Sequence, residues 1–171
     1  YMDSQVYVNG QLVGHYPNGY NQFSYDITDC LHKDGRENVV AVHAINKQPS
    51  SRWYSGSGIY RDVTLQVTDK VHTEKNGTTI LTPDLEKQQN GKVDTHVTSK
   101  IVNTDDKDHE ILAEYQIIEP NGQAVTDLVR TASQVLKAHQ SASLNAILQV
   151  DKPKLWTVNS DKPALYELVT R

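Results

Sequence analysis

The sequence predicts an all-β protein built from two β-sandwich domains. Apolar and polar residues alternate along most of the 171-residue chain, which is the two-residue period of half-buried strands. Turn sequences separate the alternating segments at regular intervals, a pattern typical of a β-sandwich. The pattern restarts with longer strands after Asp69, so we assign residues 1–69 to the first domain and residues 70–171 to the second.

The first domain contains a hairpin and three further alternating segments. Val6 and Val8 precede Asn9-Gly10, a dipeptide that suits a type I′ turn because both central residues take positive φ. The other predicted strands carry Phe23, Tyr25 and Ile27; Val40, Val42 and Ala44; and Val63, Leu65 and Val67. About five strands are fewer than the roughly eight of a jelly roll. The domain is therefore either a small sandwich or the rear part of a larger one.

The second domain is predicted to be an immunoglobulin-like sandwich, since it has the usual length of about 100 residues. Val93, Thr95, Val97, Ser99 and Ile101 are predicted to point one way, and Ile111, Ala113, Tyr115 and Ile117 to form the next inner face. A further strand carries Ala142, Leu144, Ala146, Leu148 and Val150, and Leu165 and Leu168 lie in the last strand. Residues 119–122 predict a turn with Pro at its first central position. Residues 131–138 allow either a strand or one or two helical turns. Asn76-Gly77-Thr78 spells a glycosylation sequon but is interpreted as a turn.

The charge and cysteine content exclude several classes of function. Seventeen Lys and Arg stand against 21 Asp and Glu, which leaves a formal net charge of −4 with no basic cluster. Binding to nucleic acid or to an anionic membrane needs clustered cations, so we expect neither partner. Cys30 is the one cysteine, which excludes an internal disulfide and a thiolate zinc site.

The sequence predicts no catalytic and no metal-binding residue. Glycoside hydrolysis requires two carboxyl groups about 5–9.5 Å apart, whereas most of the seven Glu fall in turns or at outward strand positions. The sequence around Ser55 and Ser57 resembles a nucleophile elbow in spelling, but a predicted strand follows instead of the helix that an elbow needs. The seven His lack the spacing of a metal site.

One loop carries residue types suited to sugars. Sugars bind aromatic faces through their C–H groups and planar donors through their hydroxyls. Arg52, Trp53 and Tyr54 bring two aromatic rings and a guanidinium together in a loop rich in Gly and Ser, and Arg61 follows. The alternative interpretation is that Trp53 or Tyr54 fills a domain core while Arg61 forms an ion pair.

The same loop carries a family resemblance. Ser51-Arg52-Trp53-Tyr54-Ser55-Gly56-Ser57-Gly58-Ile59-Tyr60-Arg61-Asp62-Val63 resembles the segment that closes the N-terminal sugar-binding domain of family 2 glycoside hydrolases. Upstream, residues 6–28 are similar to the preceding strands of that domain. Downstream, Pro153-Lys154-Leu155-Trp156 and Pro163-Ala164-Leu165-Tyr166 are similar to the end of the family's immunoglobulin-like second domain. The resemblance covers nearly the whole chain.

The resemblance implies that residues 1–69 are the C-terminal part of a jelly-roll domain. It also implies that the chain is a noncatalytic portion of a β-galactosidase that hydrolyses terminal β-galactosides with retention. In the family both catalytic Glu lie on a (β/α)₈ barrel, which would be a missing partner here, and Mg²⁺ or Na⁺ binds to that barrel in some members. The chain itself would hold no cofactor. Arg52, Trp53 and Tyr54 would contact the substrate.

Two other classes of function stay open, namely a free-standing carbohydrate-binding module and a structural immunoglobulin-like interaction domain. Missing strands would leave apolar faces uncovered near Val6, Val8 and Val40, so we expect copies of the chain to self-associate. The first residue is Tyr and no signal-like succession follows it. The sequence therefore favours a cytoplasmic location over a secreted one.

Overall fold

The computed structural model describes residues 1–47, 49, 56–83, 85–87, 91–160 and 162–171. Over these residues the chain forms strands and two short 3₁₀ turns but no α-helix, which confirms the all-β prediction. Nothing in this part of the chain is a helix long and apolar enough to cross a membrane. The chain divides into two compact units, Tyr1–Leu65 and Gln66–Arg171. The sequence-based boundary after Asp69 stays a prediction.

The first unit contains a three-stranded antiparallel sheet in the order β2-β1-β3, formed by β1 (Ser4–Val8), β2 (Gln11–Tyr16) and β3 (Val40–Ala44). The turn between β1 and β2 has positive φ at both central residues, 51° at Asn9 and 83° at Gly10. The hairpin prediction is therefore confirmed.

The strand predicted at Phe23, Tyr25 and Ile27 is wrong, because this segment is irregular. Asp26 explains the difference, since its Oδ1 accepts hydrogen bonds from the backbone N (2.9 Å) and Oγ1 (2.6 Å) of Thr28. These bonds turn the backbone into a 3₁₀ turn, and such local side-chain bonding competes with a strand ladder. They also lower the pKa of Asp26.

The strand predicted at Val63, Leu65 and Val67 is also absent from the structure, and all three side chains are exposed. A strand requires a neighbour that accepts and donates backbone hydrogen bonds. No described segment pairs with these residues, so the alternating pattern by itself produces no ladder.

The expected uncovered faces of the first unit are only partly present. β1 is the central strand of its sheet, and Val8 is fully buried, so the prediction of an exposed Val8 is wrong. The sheet ends at β3, where Val40 and Val42 are exposed. Pairing with both neighbours covers β1, whereas β3 has a described neighbour on one side.

The described residues of the second unit form eight strands in three sheets with the orders β10-β5-β4, β11-β7-β8 and β6-β9. The strands are β4 (Val71–Leu81), β5 (Lys92–Asn103), β6 (His109–Ile111), β7 (Glu114–Ile118), β8 (Val129–Arg130), β9 (Gln134–Leu136), β10 (Ser141–Asp151) and β11 (Glu167–Thr170). Every second side chain of β5 from Val93 to Asn103 is buried, as the alternation predicts. These side chains face a core whose largest buried member is Tyr115.

Local sequence predicted some features of the second unit and missed others. Residues 119–122 form the predicted turn, closed by a 2.8 Å hydrogen bond from the N of Gly122 to the O of Glu119. Residues 131–138, left open between strand and helix, include β9. Gly77 lies in an irregular part of β4 and not in a turn. Leu165 precedes β11 and is exposed, so its assignment to the last strand is wrong.

Candidate functional site

The predicted sugar-contacting residues Arg52, Trp53 and Tyr54 lie outside the described residues. The structure does describe the segments on either side of them, residues 44–47 and 56–61, which both belong to the first unit. These two flanking segments hold the ends of the predicted sugar-binding loop.

The flank that follows the loop is bound to a turn formed by residues 18–21. The phenolic oxygen of Tyr60 donates a hydrogen bond to the carbonyl of Gly19 (2.7 Å), and Nη1 of Arg61 donates to the carbonyl of Tyr20 (2.9 Å). The Arg61 guanidinium carbon also lies 5.1 Å from the centroid of the Tyr60 ring, within cation–π range. Arg61 therefore binds a backbone carbonyl and an aromatic ring, and no ion pair of this side chain is described.

The turn that receives these bonds is held by Asn18. Its Oδ1 accepts hydrogen bonds from the backbone N of Tyr20 (2.8 Å) and of Asn21 (3.1 Å). The ring of Tyr1 packs edge-on against Tyr20 with centroids 5.7 Å apart, and a hydrogen bond with Tyr1 raises the pKa of Tyr20. Sequence reasoning missed this turn, although Pro17-Asn18-Gly19 is a turn signal.

Two further contacts hold the flanks, one between them and one to the segment around Tyr1. Nδ2 of Asn46, before the loop, donates to Oγ of Ser57, after it, at 3.0 Å. The backbone nitrogen of Tyr1 donates to the carbonyl of Gly58, which has a φ of 89°. The described ends of the loop are therefore joined to each other and to the N-terminal segment.

Aromatic side chains are concentrated on the same unit. Tyr16 stacks on Phe23 with ring centroids 4.6 Å apart, and Phe23 packs against Tyr25 at 5.5 Å. Tyr20 and Tyr60 are both exposed. Exposed aromatic faces beside a guanidinium are the groups that bind sugar C–H surfaces and hydroxyls.

Three glutamates of the second unit form ion pairs with nearby cations. Glu74 accepts from Nζ of Lys100 (2.9 Å), Glu119 accepts from Nζ of Lys154 (2.8 Å), and Glu114 accepts from Arg130. The Glu119 carboxylate raises the pKa of Lys154. In the part of the chain that the structure describes, no three His, Cys, Asp or Glu side chains form a group that could hold a metal ion.

The most strongly perturbed carboxyl is Asp105, in the loop after β5. Nζ of Lys70 donates to it at 2.8 Å and Nε2 of His109 lies 2.9 Å from it, while its Oδ atoms also bind the backbone N of Asp106. These bonds, with the lysine first, hold the pKa of Asp105 well below its usual range. The side chain thus connects the loop to Lys70, which precedes β4, and to His109 of β6, which is a structural arrangement.

Comparison with known proteins gives a consistent result. The family model for glycosyl hydrolases family 2 matches residues 77–171. A β-galactosidase of Bacteroides ovatus is 36% identical over 172 residues, which cover 100% of this chain and 19% of that protein. A putative β-glucuronidase of Formosa agariphila is 35% identical over 176 residues, covering 100% of this chain and 15% of that protein.

A solved structure is similar over the same length. The crystal structure of a glycosyl hydrolase family 2 member from Bacteroides cellulosilyticus superimposes with a TM-score of 0.85 at 34% identity, covering 100% of this chain and 22% of that one. The chain thus spans about a fifth of the length of the relatives that it matches.

Proposed function

The chain belongs to glycosyl hydrolases family 2, and on that basis we propose that it is the noncatalytic, sugar-contacting part of a β-galactosidase. The observation that carries the proposal is the 36% identity to a β-galactosidase over the whole length of the chain. The reaction would be hydrolysis of terminal β-galactosides with retention, by a nucleophilic and an acid/base carboxyl about 5–5.5 Å apart. We assign both carboxyls to polypeptide outside these 171 residues.

Arg52, Trp53 and Tyr54 are proposed to contact the sugar at the edge of that active site. Trp53 and Tyr54 would supply aromatic faces for the C–H surface, and Arg52 would donate hydrogen bonds to hydroxyls. The anchored flanks support this role. Bonds from Tyr60 and Arg61 to the 18–21 turn give the loop a rigid base, and a rigid base lowers the entropy lost when a loop binds its ligand.

Hydrolysis of β-glucuronides is the second candidate. It is favoured by the nearly equal identity, 35%, to a putative β-glucuronidase. A glucuronide carries a carboxylate, and Arg52 could bind that group with two parallel hydrogen bonds. The two candidates therefore differ in what Arg52 would bind.

The first test compares substrates with the complete protein encoded by the reading frame around this segment. We expect release of nitrophenol from p-nitrophenyl β-D-galactoside to exceed that from the β-D-glucuronide by at least about tenfold in kcat/KM, a difference near 1.4 kcal/mol. The reverse preference would establish the second candidate. Turnover by the purified 171-residue chain, abolished by substitution of Glu37 or Glu119, would contradict the noncatalytic assignment.

The second test concerns the loop, again in the complete protein. Arg52→Ala removes a charge-assisted hydrogen bond worth about 1.5–3 kcal/mol, so we expect KM to rise roughly tenfold or more. Arg36→Ala is the matched control, because Arg36 is an exposed arginine of the same unit paired with nearby Asp34. An unchanged KM in Arg52→Ala would remove this residue from the site.

Calorimetry on the 171-residue chain separates the proposal from a free-standing carbohydrate-binding module. We expect little or no heat with galactose or lactose, because the chain would supply only one side of the sugar site. Saturable binding by the chain itself would favour the module.

Self-association of the isolated chain is a further part of the proposal, through β3 at the end of its sheet. Val40 and Val42 are exposed there, and an uncovered apolar edge strand pairs readily with another chain. Light scattering should show a dimer or larger species that Val40→Ser weakens. A monomer at all accessible concentrations would contradict it.

A further inference from the structure

We propose that the second unit's sandwich receives one more β-strand, which adds to the edge of β11 and comes from polypeptide of the same protein outside these 171 residues. The inference is independent of which sugar the protein hydrolyses. It begins from an open apolar groove of about 280 Å³ on this unit. The groove is lined by side chains of β4, β5, β7, β10 and β11 and by residues 153–156.

The first observation is an inward-facing residue that lacks cover. Ile80 of β4 is paired with Val97 of β5, and directly paired residues share one face of a sheet. Val97 is 1% exposed in the core, yet Ile80 on the same face is 51% exposed. The inner face of β4 therefore lacks a covering element at this end, within the part of the molecule described.

The second observation is the hydrogen-bonding edge of β11. Glu114 and Arg171 exchange both backbone hydrogen bonds, N to O at 2.8 and 3.0 Å. Bonded and non-bonded pairs alternate in an antiparallel ladder, so the N–H and C=O groups of Leu168 and Thr170 point away from β7. β11 is the last strand of its sheet, and no described residue bonds to these outward groups.

The third observation joins the first two, because the groove and the edge are adjacent. Leu168 is paired with buried Ile117, and both line the groove. A strand added to β11 would place its residue beside Leu168 on the same inner face, with every second side chain entering the groove. The added side chains would cover Ile80 from one side and Trp156, which is 60% exposed, from the other.

The lining favours a strand over a small molecule. The groove lies just below the roughly 300–1,000 Å³ of small-molecule pockets, which also carry convergent polar groups. Here the lining is mainly aliphatic and aromatic, and Glu167 and Lys154 contribute most of its charge. The same protein is a ready source of the strand, since about four-fifths of each matched relative lies outside the matched region.

β11 is a better acceptor than β4, the end strand of the facing sheet that carries Ile80. The pairing of β4 with β5 is interrupted between Thr73 and Thr78, and such an irregularity protects an edge from further pairing. β11 pairs with β7 in an unbroken register. An incoming strand therefore finds a regular ladder on β11.

Hydrogen exchange tests the proposal directly. The backbone amides of Leu168 and Thr170 should exchange rapidly in the 171-residue chain and at least about 100-fold more slowly in the complete protein. The amides of Val169 and Arg171 are the internal control, since they bond to β7 and should be protected in both proteins. Equal exchange of Leu168 and Thr170 in the two proteins would overturn the proposal, as would a reading frame that supplies no further polypeptide.

A pair of substitutions tests the groove itself. Ile80→Ser should lower the Tm of the complete protein more than Ile147→Ser does. Ile147 is the matched control, because it is an isoleucine of the same sheet, 56% exposed, on the outward face. In the 171-residue chain the two substitutions should have equal, small effects.

The remaining outcomes separate other occupants. Protection of Leu168 and Thr170 in the 171-residue chain, together with a dimer in sedimentation, would assign the edge to a second copy and overturn the proposal. Equal losses of Tm for Ile80→Ser and Ile147→Ser in the complete protein would mean that nothing covers the groove, and would also overturn the proposal. Neither hydrogen exchange nor Tm depends on which sugar the protein hydrolyses. Failure of the β-galactosidase assignment would therefore leave both results unchanged.

Discussion

Replacement of Asn103 by alanine should destabilise the second unit by about 3 kcal/mol. Asn103 is 1% exposed, and the two N–H groups of its Nδ2 are shared among the carbonyls of Lys107 (2.8 Å), Leu136 (3.3 Å) and Lys137 (3.1 Å). Its Oδ1 accepts from the backbone N of Asp105 at 2.8 Å. One side chain thus joins the end of β5, the following loop and β9.

The magnitude follows from which groups lose their partners. A typical hydrogen bond contributes about 0.5–1.5 kcal/mol net, whereas a buried group left without a partner costs about 1–3 kcal/mol. The bond to Leu136 is buried, while those to Lys107 and Lys137 are partly buried. Water can replace the amide at the two partly buried carbonyls but not at Leu136. The expected loss of unfolding free energy is therefore about 3 kcal/mol. This is less than the cost of leaving all four bonded backbone groups without a partner.

Urea denaturation of the 171-residue chain, followed by the signal of the second unit, measures this loss. Asn145→Ala is the matched control, because Asn145 is an exposed asparagine of the same sheet whose Oδ1 accepts one bond, from Thr98 at 2.7 Å. We expect that control to cost less than about 1 kcal/mol. A loss below about 1 kcal/mol for Asn103→Ala would refute the argument, since it would mean that the three carbonyls need no buried donor.

Three further predictions concern single residues. Gly77→Ala should destabilise the second unit by about 1–3 kcal/mol in urea denaturation, because a Cβ there would lie 2.7 Å from the carbonyl oxygen of Glu74. Gly91→Ala is the control and should be near neutral, since a Cβ at that position would have no atom within 4 Å. Because folding lowers the pKa of Asp105, its ionised form stabilises the fold above about pH 4, and this contribution is lost as the pH falls further. The stability difference between wild type and Asp105→Asn should therefore narrow below about pH 4 in acid titrations; a constant difference would contradict this. Asn9→Gly keeps the positive φ of the hairpin turn but loses the side-chain hydrogen bonds to the backbone of Cys30 and Val39. Thermal denaturation should therefore show that the first unit loses about 1–2 kcal/mol of unfolding free energy. An unchanged Tm would argue against those bonds.

Local chemistry predicted the elements whose signals are contained in a few adjacent residues. Asn9-Gly10 specified a hairpin because the turn depends on the φ preferences of two residues alone. Alternation in β5 identified its buried face, since a strand long enough to cross the core has one side without water. The all-β class follows from these two kinds of signal.

The same signals failed where the outcome depends on a distant partner. Val63, Leu65 and Val67 alternate as well as β5 does, but no described strand lies beside them. Phe23 and Tyr25 alternate too, yet Asp26 bonds to Thr28 and turns the chain. Alternation shows which side chains prefer burial, but it does not show whether another strand is available to pair with the segment.

The candidate site likewise has one part that local sequence predicts and one part that depends on distant residues. Residue types alone identified Arg52, Trp53 and Tyr54 as suited to a sugar, because stacking faces and planar donors are properties of single side chains. The support for that loop came from contacts across 41 positions of the chain, between Tyr60 and Gly19 and between Arg61 and Tyr20. No local pattern encodes such contacts.

The sequence by itself determined the strand-rich class, the hairpin, the inward faces of the long strands and the family. Only the tertiary structure decided which strands have neighbours, that Ile80 is half exposed on an inward face, and that Leu168 and Thr170 direct backbone groups away from β7. The reason is physical. Backbone conformation and side-chain polarity act over a few residues, whereas pairing and burial depend on segments that meet only when the chain has folded.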